Sequence, residues 1–260
     1  MTAPSPDAAA EDRSRSRSLV ASPDGVVASE SVLASQVGAR ILEAGGNAID
    51  AAIATNAMLG LVAPMNDGIG GDLFAIVHEA DSGRLHGLNA SGWAPAGLSA
   101  AFLLHQNLEQ MPQQGIHSVT VPGAVAGWHS LARRFGSRPL AELLAPAIAY
   151  AEHGFPVEEV VQGYWHASEA LLRQDAAASA TYLPQGRTPL VGELFQNPAL
   201  AWTYRQIAVL GRDAFYRGEV ARKILSTSAA HGGTLTAADL AEFETEWVEP
   251  LSTTYRGWTV

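Results

Sequence analysis

The stretch from residue 64 to residue 95 constrains the fold of this chain most strongly. Residues 73–78 and 84–88 have the apolar and β-branched character of strands. Between them lies the segment 81–83, Asp-Ser-Gly, whose residues are typical of a tight turn. This pattern predicts a β-hairpin, so the loops that precede and follow it are expected to lie at the same end.

The two loops at that end have distinctive compositions. The first contains Gly68, Gly70 and Gly71, and glycine lets the backbone adopt positive φ or approach another group closely. The second is residues 89–92, Asn-Ala-Ser-Gly. This arrangement is typical of a site where a small polar ligand contacts backbone N–H groups. Two ordinary tight loops are the alternative interpretation.

Composition limits the class of partner. The formal net charge of −10 and the pI near 5.2 argue against nucleic acids and anionic membrane surfaces, because phosphate recognition needs clustered basic side chains. The 16 basic residues are scattered, so a small molecule is the expected partner. There is no cysteine, and the eight histidines lack ligand spacing, so neither a metal nor a cofactor is predicted.

The sequence also predicts a flexible tail, no membrane span and, by default, a cytoplasmic location. Residues 1–23 are rich in Ala, Ser, Pro, Asp and Arg, and they lack an apolar stretch of signal-peptide length. The longest apolar run, residues 48–63, is interrupted by polar side chains and is too short to span a membrane. A periplasmic or secreted location is the alternative if the start of the chain is not native.

Helices are predicted to make up most of the remaining chain. Ser31 and Asn47 are residue types that cap helices, and Gly45-Gly46 separates the two helices that they begin. Further helices are predicted over residues 96–107, 123–135, 140–153, 198–210 and 213–227. Short strands are predicted over residues 25–29, 118–121 and 255–260.

Two further positions each have a functional and a structural interpretation. Asp50 is a candidate site carboxylate, but the helix dipole stabilises a carboxylate near a helix N-terminus, and this interpretation is favoured. Pro122-Gly123 enters a helix whose N-terminus is a candidate anion site, although tight packing is the favoured purpose. No complete catalytic motif is present. The Gly68–Asp72 phrase precedes a strand, so it does not fit dinucleotide binding.

Several longer phrases, in unbroken order over residues 24–260, resemble the gamma-glutamyltransferase family of N-terminal nucleophile hydrolases. The phrase AGGNAIDAA and the glycine-rich loop are specific to that family. The matching segments are residues 28–74, 89–99 (NASGWAPAGLS), 118–127 (SVTVPGAVAG), 139–157 and 232–260.

The resemblance implies an α+β fold, the four-layer αββα sandwich, of which this chain holds only a part. In the family, a precursor cuts itself into a large and a small subunit, and the new N-terminal threonine of the small subunit is the nucleophile. Residues 24–260 would then be an incomplete large-subunit region, with the small subunit as its partner. That threonine would lie beyond Val260, so no catalytic residue is assigned within the chain, and the chain alone is expected to be inactive.

The resemblance also has a consequence for the surface. Family members interleave the two subunits in a shared sheet. We therefore expect this chain to expose a strand edge and apolar faces that the small subunit would cover.

One segment departs from the family pattern. Family members carry an Asp-Phe-Arg-Glu phrase where this chain has residues 89–92, and its arginine holds the α-carboxylate of the glutamyl group. Ser91 stands in the place of that arginine, so Asn89 and Ser91 are the predicted substrate-binding residues. Arg84 is the candidate replacement cation, although it is predicted at the other end of the hairpin.

Three functions remain open at this point. The resemblance implies an enzyme that transfers gamma-glutamyl groups or hydrolyses glutathione. The serine fits a divergent branch of amidohydrolases or acylases that act on a small acid such as oxamate. An inactive truncated product is the third possibility. In both enzymatic cases the substrate is a small-molecule amide.

Overall fold

The computed structural model describes residues 19–260. The predicted flexible tail, residues 1–23, therefore lies mostly outside the described residues, and residues 19–23 are exposed and form no helix or strand. The strand predicted over residues 25–29 is wrong. No described strand pairs with these residues, and a β-ladder requires a partner.

Helices form most of the described chain. In chain order they are α1 (Val32–Glu43), α2 (Ala48–Val62), α3 (Ala100–His105), α4 (Ala124–Phe135), α5 (Leu140–His153), α6 (Glu159–Ala167), α7 (Glu169–Leu172), α8 (Ala176–Tyr182), α9 (Pro198–Leu210), α10 (Arg212–Tyr216), α11 (Glu219–Ala230) and α12 (Ala237–Glu242). The strands are β1 (Leu73–Glu79), β2 (Arg84–Ala90), β3 (Phe155–Pro156), β4 (Leu194–Phe195), β5 (Glu246–Val248), β6 (Thr254–Tyr255) and β7 (Trp258–Thr259).

The first two helices form as predicted and pack closely. The Ser31 side chain accepts a hydrogen bond from the first turn of α1, and Asn47 caps α2 in a reciprocal capping box with Asp50. A Cβ atom placed on Gly38 of α1 would lie 2.2 Å from Thr55 Oγ1 of α2. Only glycine fits there, so the small residues permit the close approach of the two helices.

Helix α2 lies at the centre of the core. Its residues are buried on most sides, and it packs against α1, α4 and α5. Two polar bonds join it to large aromatic side chains: Trp128 Nε1 donates to Asn56 Oδ1 at 2.7 Å, and Tyr204 Oη donates to the Ala57 carbonyl at 2.8 Å. Within residues 19–260, no helix combines the length and apolar character needed to cross a membrane.

The predicted hairpin is confirmed as β1 and β2, and β5 extends it to an antiparallel sheet in the order β1-β2-β5. One face of the sheet packs inward, where the Leu73 side chain contacts α4 at Gly127. The other face is open in the described chain. Phe74 and Ile76 of the edge strand β1 are 67% and 71% exposed there, as predicted for a face that another segment covers.

Three predicted elements differ from the described ones near the middle of the chain. Residues 118–121 form no strand; a short 3₁₀ helix, Ile116–Ser118, precedes a loop. The helix predicted over residues 96–107 is shortened to α3, because Ser99 caps it by accepting from Phe102 N. The helix predicted over residues 213–227 is divided into α10 and α11 at Gly218.

The strand predicted over residues 255–260 is also wrong. Arg256 and Gly257 have φ values of 49° and 83°, which reverse the chain between β6 and β7. Two successive positive φ values are typical of a two-residue hairpin turn. The segment is therefore a small hairpin, and its residues are exposed.

Candidate functional site

Three loops meet at one end of the β1–β2 hairpin, and we call them the hairpin-end loops. They comprise the loop of residues 64–72, the end of β2 with the loop that follows it (89–93), and the loop with the first residue of α4 (121–124). The Gly71 carbonyl accepts hydrogen bonds from Gly123 N at 2.9 Å and Ala124 N at 3.0 Å, which ties the first loop to the third. Val121 N donates to the Trp93 carbonyl at 2.9 Å, which ties the third to the second. The three loops therefore form one unit.

Glycine is sterically required at two positions in this unit. A Cβ atom on Gly92 would lie 1.8 Å from the Val121 carbonyl oxygen, and one on Gly123 would lie 1.8 Å from the Ala90 carbonyl oxygen. No side chain fits at such distances. Backbone contacts between the second and third loops are thus set by these two glycines.

The three glycines singled out from the sequence are different. Gly68, Gly70 and Gly71 do not have positive φ. A Cβ atom at Gly68 or Gly70 would meet no described heavy atom within 4 Å, and at Gly71 the nearest would be 3.6 Å away. Within the described chain, neither a positive φ nor a close approach of another group therefore requires glycine at these positions. Their part in a site stays a prediction.

Ser91 and Asn89, the predicted substrate-binding residues, lie together in the second loop. Asn89 Oδ1 accepts from Ser91 N at 2.9 Å, which holds the loop in an Asx turn. Asp72 lies across from them. Its Oδ1 accepts from Gly92 N at 2.7 Å, and its Oδ2 is 3.4 Å from Ser91 Oγ. A carboxylate therefore lies beside Ser91, the residue predicted to take the place of the family arginine.

Sequence reasoning missed Asp72, although the hairpin register contains the signal. Leu73, the first residue of β1, pairs with Ala90, so Asp72, which precedes the strand, lies opposite Ser91. The same register tests Arg84 as the candidate replacement cation. Arg84 pairs with Glu79, at the far end of β1. Six residues of strand correspond to about 20 Å. Arg84 is thus too distant to replace the family arginine.

An open cavity of about 560 Å³ lies beside the first loop and has an acidic lining. Asp67 and Asp72 both line it. Burial raises the pKa of Asp67, and the neighbouring Glu30 carboxylate raises it further, while hydrogen bonds from Gly68 N–H and Asn56 oppose this rise. Asn56 Nδ2 donates to Asp67 Oδ2 at 2.7 Å. The cavity can accept hydrogen bonds or pair with a cation, but it disfavours a second carboxylate.

Asp50 has the structural role that the sequence favoured. It is fully buried, and it accepts hydrogen bonds from Asn47 N at 2.9 Å, Ser137 N at 3.0 Å and Arg138 N at 3.3 Å, as well as from the Ser137 hydroxyl. Burial alone would raise the pKa of Asp50, but these bonds together hold the pKa below its ordinary value. The carboxylate joins α2 to the segment before α5.

The start of α4 also has the packing role that the sequence favoured. Its first N–H groups donate to the Gly71 carbonyl, as described above. The Tyr216 hydroxyl donates to the Pro122 carbonyl at 2.6 Å and accepts from Ala126 N at 3.1 Å. Burial raises the pKa of Tyr216, so the hydroxyl keeps its proton. In the described chain, the N–H groups of Gly123, Ala124 and Ala126 thus bond to other protein groups, as the packing interpretation predicts.

The described fold is the α+β fold of N-terminal nucleophile hydrolases, present in part, as predicted. It superposes on gamma-glutamyltranspeptidase from Helicobacter pylori with a TM-score of 0.88 and 32% identity, covering 94% of this chain and 70% of that one. It also superposes on cephalosporin acylase from Bacillus halodurans with a TM-score of 0.85 and 43% identity, covering 94% of this chain and 48% of that one.

Residues 34–260 match the family described as Gamma-glutamyltranspeptidase, and the chain belongs to this family. A curated relative, the glutathione hydrolase-like YwrD proenzyme of Bacillus subtilis, is 36% identical over 236 residues. That alignment covers 90% of this chain and 45% of the relative. The chain thus spans less than half the length of that relative.

Proposed function

We propose that this chain supplies the large-subunit region of an amide hydrolase or acyltransferase. Its nucleophile would be a threonine of the small subunit, outside the 260 residues, with the hydroxyl activated by the threonine's own α-amino group. Attack on a small-molecule amide forms an acyl-enzyme and releases the amine, and water or an amino acid then takes the acyl group. Family membership and the similarity to a proenzyme support this proposal. Without the small subunit, the chain is inactive.

The open sheet face supports the small subunit as partner. Phe74 and Ile76 of β1 and Val248 of β5 are exposed there, and β1 is an edge strand with unpaired backbone groups in the described chain. An apolar face of this kind is stabilised by a second packed layer. The αββα sandwich provides that layer from the remainder of the precursor.

The arrangement of Ser91 and Asp72 carries the proposal on substrate class. A serine hydroxyl cannot pair bidentately with a carboxylate as arginine does, and the Asp72 carboxylate lies 3.4 Å from that hydroxyl. An acyl group with a free α-carboxylate at this position would be repelled. The loops therefore favour an acylase substrate, or the amide of a small acid that has no free carboxylate beside the amide. The 43% identity with cephalosporin acylase supports the same direction.

Gamma-glutamyl transfer or glutathione hydrolysis is the second candidate function. It is favoured by the similarity to a protein named glutathione hydrolase-like and by the match to the family as a whole. The α-ammonium group of a gamma-glutamyl donor would pair with Asp72. Its α-carboxylate would then need a different partner.

The test uses the precursor, expressed with the sequence that follows residue 260. Self-cleavage to give a subunit that begins with threonine is expected, followed by hydrolysis of small-acid amides faster than of a gamma-glutamyl anilide. Ser91→Arg should then lower KM for the anilide by about tenfold to a hundredfold, because the contact exists in both ground and transition states. The decrease in KM should be larger in the double variant with Asp72→Asn, because the Asp72 carboxylate would otherwise pair with the introduced arginine.

Ser82→Arg is the matched control, because it adds the same charge at the opposite, exposed end of the hairpin. It should change KM for neither substrate class. Micromolar KM for the anilide in the unmodified enzyme would contradict the substrate assignment. A precursor that neither cleaves itself nor hydrolyses any amide would instead support the inactive product.

A further inference from the structure

A second cavity, of about 440 Å³, lies next to the hairpin-end loops, and we call it the apolar cavity. Gly70 of the first loop and Pro122 of the third border it, and α9, α10 and α11 supply further walls. Its larger apolar side chains are Ile69, Ile116, Trp202, Phe215, Ile224 and Leu235. A concave, mainly apolar space of about 300–1,000 Å³ is the usual form of a small-molecule site.

The lining of the apolar cavity differs from that of the acidic cavity beside the first loop. Asp67 and Asp72 line the acidic cavity, but within the described chain no carboxylate lines the apolar one. Its few polar side chains include Lys223, which is exposed, and Ser228, whose hydroxyl lies against Gly233. The walls therefore favour the burial of hydrocarbon over the recognition of a charged group.

The third hairpin-end loop connects the apolar cavity with the predicted substrate-binding loop. Pro122 lies in the cavity wall, and its two neighbours in the chain contact the second loop immediately before and after Ser91. The Tyr216 hydroxyl donates to the Pro122 carbonyl at 2.6 Å, which holds this wall in place. One loop therefore both contacts the Ser91 loop and forms a wall of the apolar cavity.

Gly70 lies at the border of both cavities. It does not have positive φ, and a Cβ atom placed on it would meet no described heavy atom within 4 Å. The space around it is therefore open, and a side chain there is conformationally allowed. The two cavities thus adjoin at a residue that has no side chain to separate them.

We propose that the apolar cavity receives the hydrocarbon part of an acyl group, so that the substrate is the amide of an apolar acid. This assignment rests on the proposed function, because it names the acyl group of the same reaction. The acyl carbonyl lies at the hairpin-end loops, and the hydrocarbon extends past Gly70 and Pro122 to Trp202 and Phe215. Such an acyl group carries no carboxylate for Asp72 to repel. Its burial improves binding by about threefold to fourfold for each methylene group.

Binding is measured first, with methyl ketones as probes that carry an acyl carbonyl but no bond to hydrolyse. Isothermal titration uses the precursor, whether or not it has cleaved itself, so the result does not depend on catalysis. From 2-butanone through 2-hexanone to 2-octanone, the affinity should rise about threefold to fourfold for each added methylene group.

Two variants narrow the apolar cavity from different sides. Thr227→Trp adds an indole at an exposed lining residue of α11, and Gly70→Leu adds a side chain in the open space at the first loop. Each should weaken 2-octanone binding about tenfold or more but change 2-butanone binding less than about twofold, because the longer probe loses more buried hydrocarbon.

Each variant has a matched control that lines neither cavity. Ser226→Trp adds the same indole at the exposed neighbour of Thr227. Gly163→Leu adds the same side chain at an exposed glycine of α6, where a Cβ atom also meets no described heavy atom within 4 Å. Both controls should leave the affinities of the ketone series unchanged.

The processed enzyme then tests whether the bound hydrocarbon belongs to the acyl group. With the p-nitroanilides of acetic, butanoic, hexanoic and octanoic acids, kcat/KM should rise with chain length, and Thr227→Trp should remove the rise. Ketone affinities that do not depend on chain length would overturn the assignment, as expected if the remainder of the precursor fills the cavity. Anilide hydrolysis that ignores chain length, despite length-dependent ketone binding, would also contradict it. Length-dependent ketone binding without hydrolysis of any anilide would instead refute the proposed function and leave the cavity a site for apolar ligands.

Discussion

Asp50 and Asp67 are both aspartates removed from much of the solvent, but the protein surrounds them in opposite ways. Asp50 receives backbone and hydroxyl hydrogen bonds from three residues, which hold its pKa below the ordinary value despite burial. Asp67 receives fewer bonds and faces another carboxylate, Glu30, and its pKa is raised. The first is a fully satisfied structural link. The second borders an open cavity with bonding capacity remaining.

The difference separates structural polar groups from those available to a ligand. A buried carboxylate whose oxygens all accept hydrogen bonds from the protein stabilises the packing of its neighbours, and it has no acceptor capacity left for a ligand. A carboxylate that is partly desolvated and partly bonded can still change its partners. Within the described chain, the second kind is found at the hairpin-end loops, which supports placing the site there.

Removing the Asp50 carboxylate should have the largest effect on stability. Asp50→Ala leaves the Asn47, Ser137 and Arg138 donors without a partner, and each buried unpaired donor costs about 1–3 kcal/mol. We expect a loss of about 3–5 kcal/mol in the free energy of unfolding, measured by urea denaturation. Asp72→Ala, on the exposed loop carboxylate, is the control and should cost less than about 1 kcal/mol. Equal losses of stability in Asp50→Ala and Asp72→Ala would contradict the distinction between structural carboxylates and those available to a ligand.

Glycine replacements should give the next largest effect. Gly123→Ala places a methyl group 1.8 Å from the Ala90 carbonyl oxygen, so the second and third hairpin-end loops must separate. We expect a loss of about 2–3 kcal/mol. Gly70→Ala meets no described atom within 4 Å and should change stability by less than about 0.5 kcal/mol. A larger loss at Gly70 than at Gly123 in denaturation experiments would contradict the contact assignment.

The pH dependence of stability should show the opposite signs of the two aspartates. The pKa of Asp50 is lower in the folded protein than its ordinary value of 3.8. The stability that its carboxylate contributes is therefore fully present above pH 3.8, and it is lost as the pH falls through the folded-state pKa. The raised pKa of Asp67 means that its contribution is present below 3.8 and is lost as the pH rises through the folded value.

Asp67→Asn should therefore gain stability relative to the unmodified chain as the pH rises from about 3 to about 6. Asp50→Asn should lose relative stability over the same interval. Unfolding midpoints in urea, measured at several pH values for the three proteins, provide the comparison. Parallel curves for the two variants would show that the carboxylates are equivalent.

Local rules account for what the sequence predicted well. The β1–β2 hairpin follows from a turn triplet between two apolar runs, and the cap at Asn47 follows from one side chain and the next few N–H groups. The family followed from phrases long enough to be specific, and the match over residues 34–260 confirms it. The site residues, the domain limits and the cytoplasmic location stay predictions.

Features that depend on neighbours distant in the chain were missed. Asp72 acquires its meaning only when the register places it opposite Ser91. Gly92 and Gly123 are required by carbonyl groups of other segments, whereas the more conspicuous Gly68 and Gly70 have open space around them. Composition can flag a glycine, but the contact that requires it belongs to tertiary structure.

The Gly71 carbonyl, which accepts from Gly123 N and Ala124 N, makes these two amides natural reporters of loop motion. Any opening of the glycine-rich loop must break both bonds at once and expose both amides to solvent. Their hydrogen–deuterium exchange would then speed up together, while amides within the body of α4 stay protected. The free energy of loop opening can thus be measured at the two amides where α4 begins.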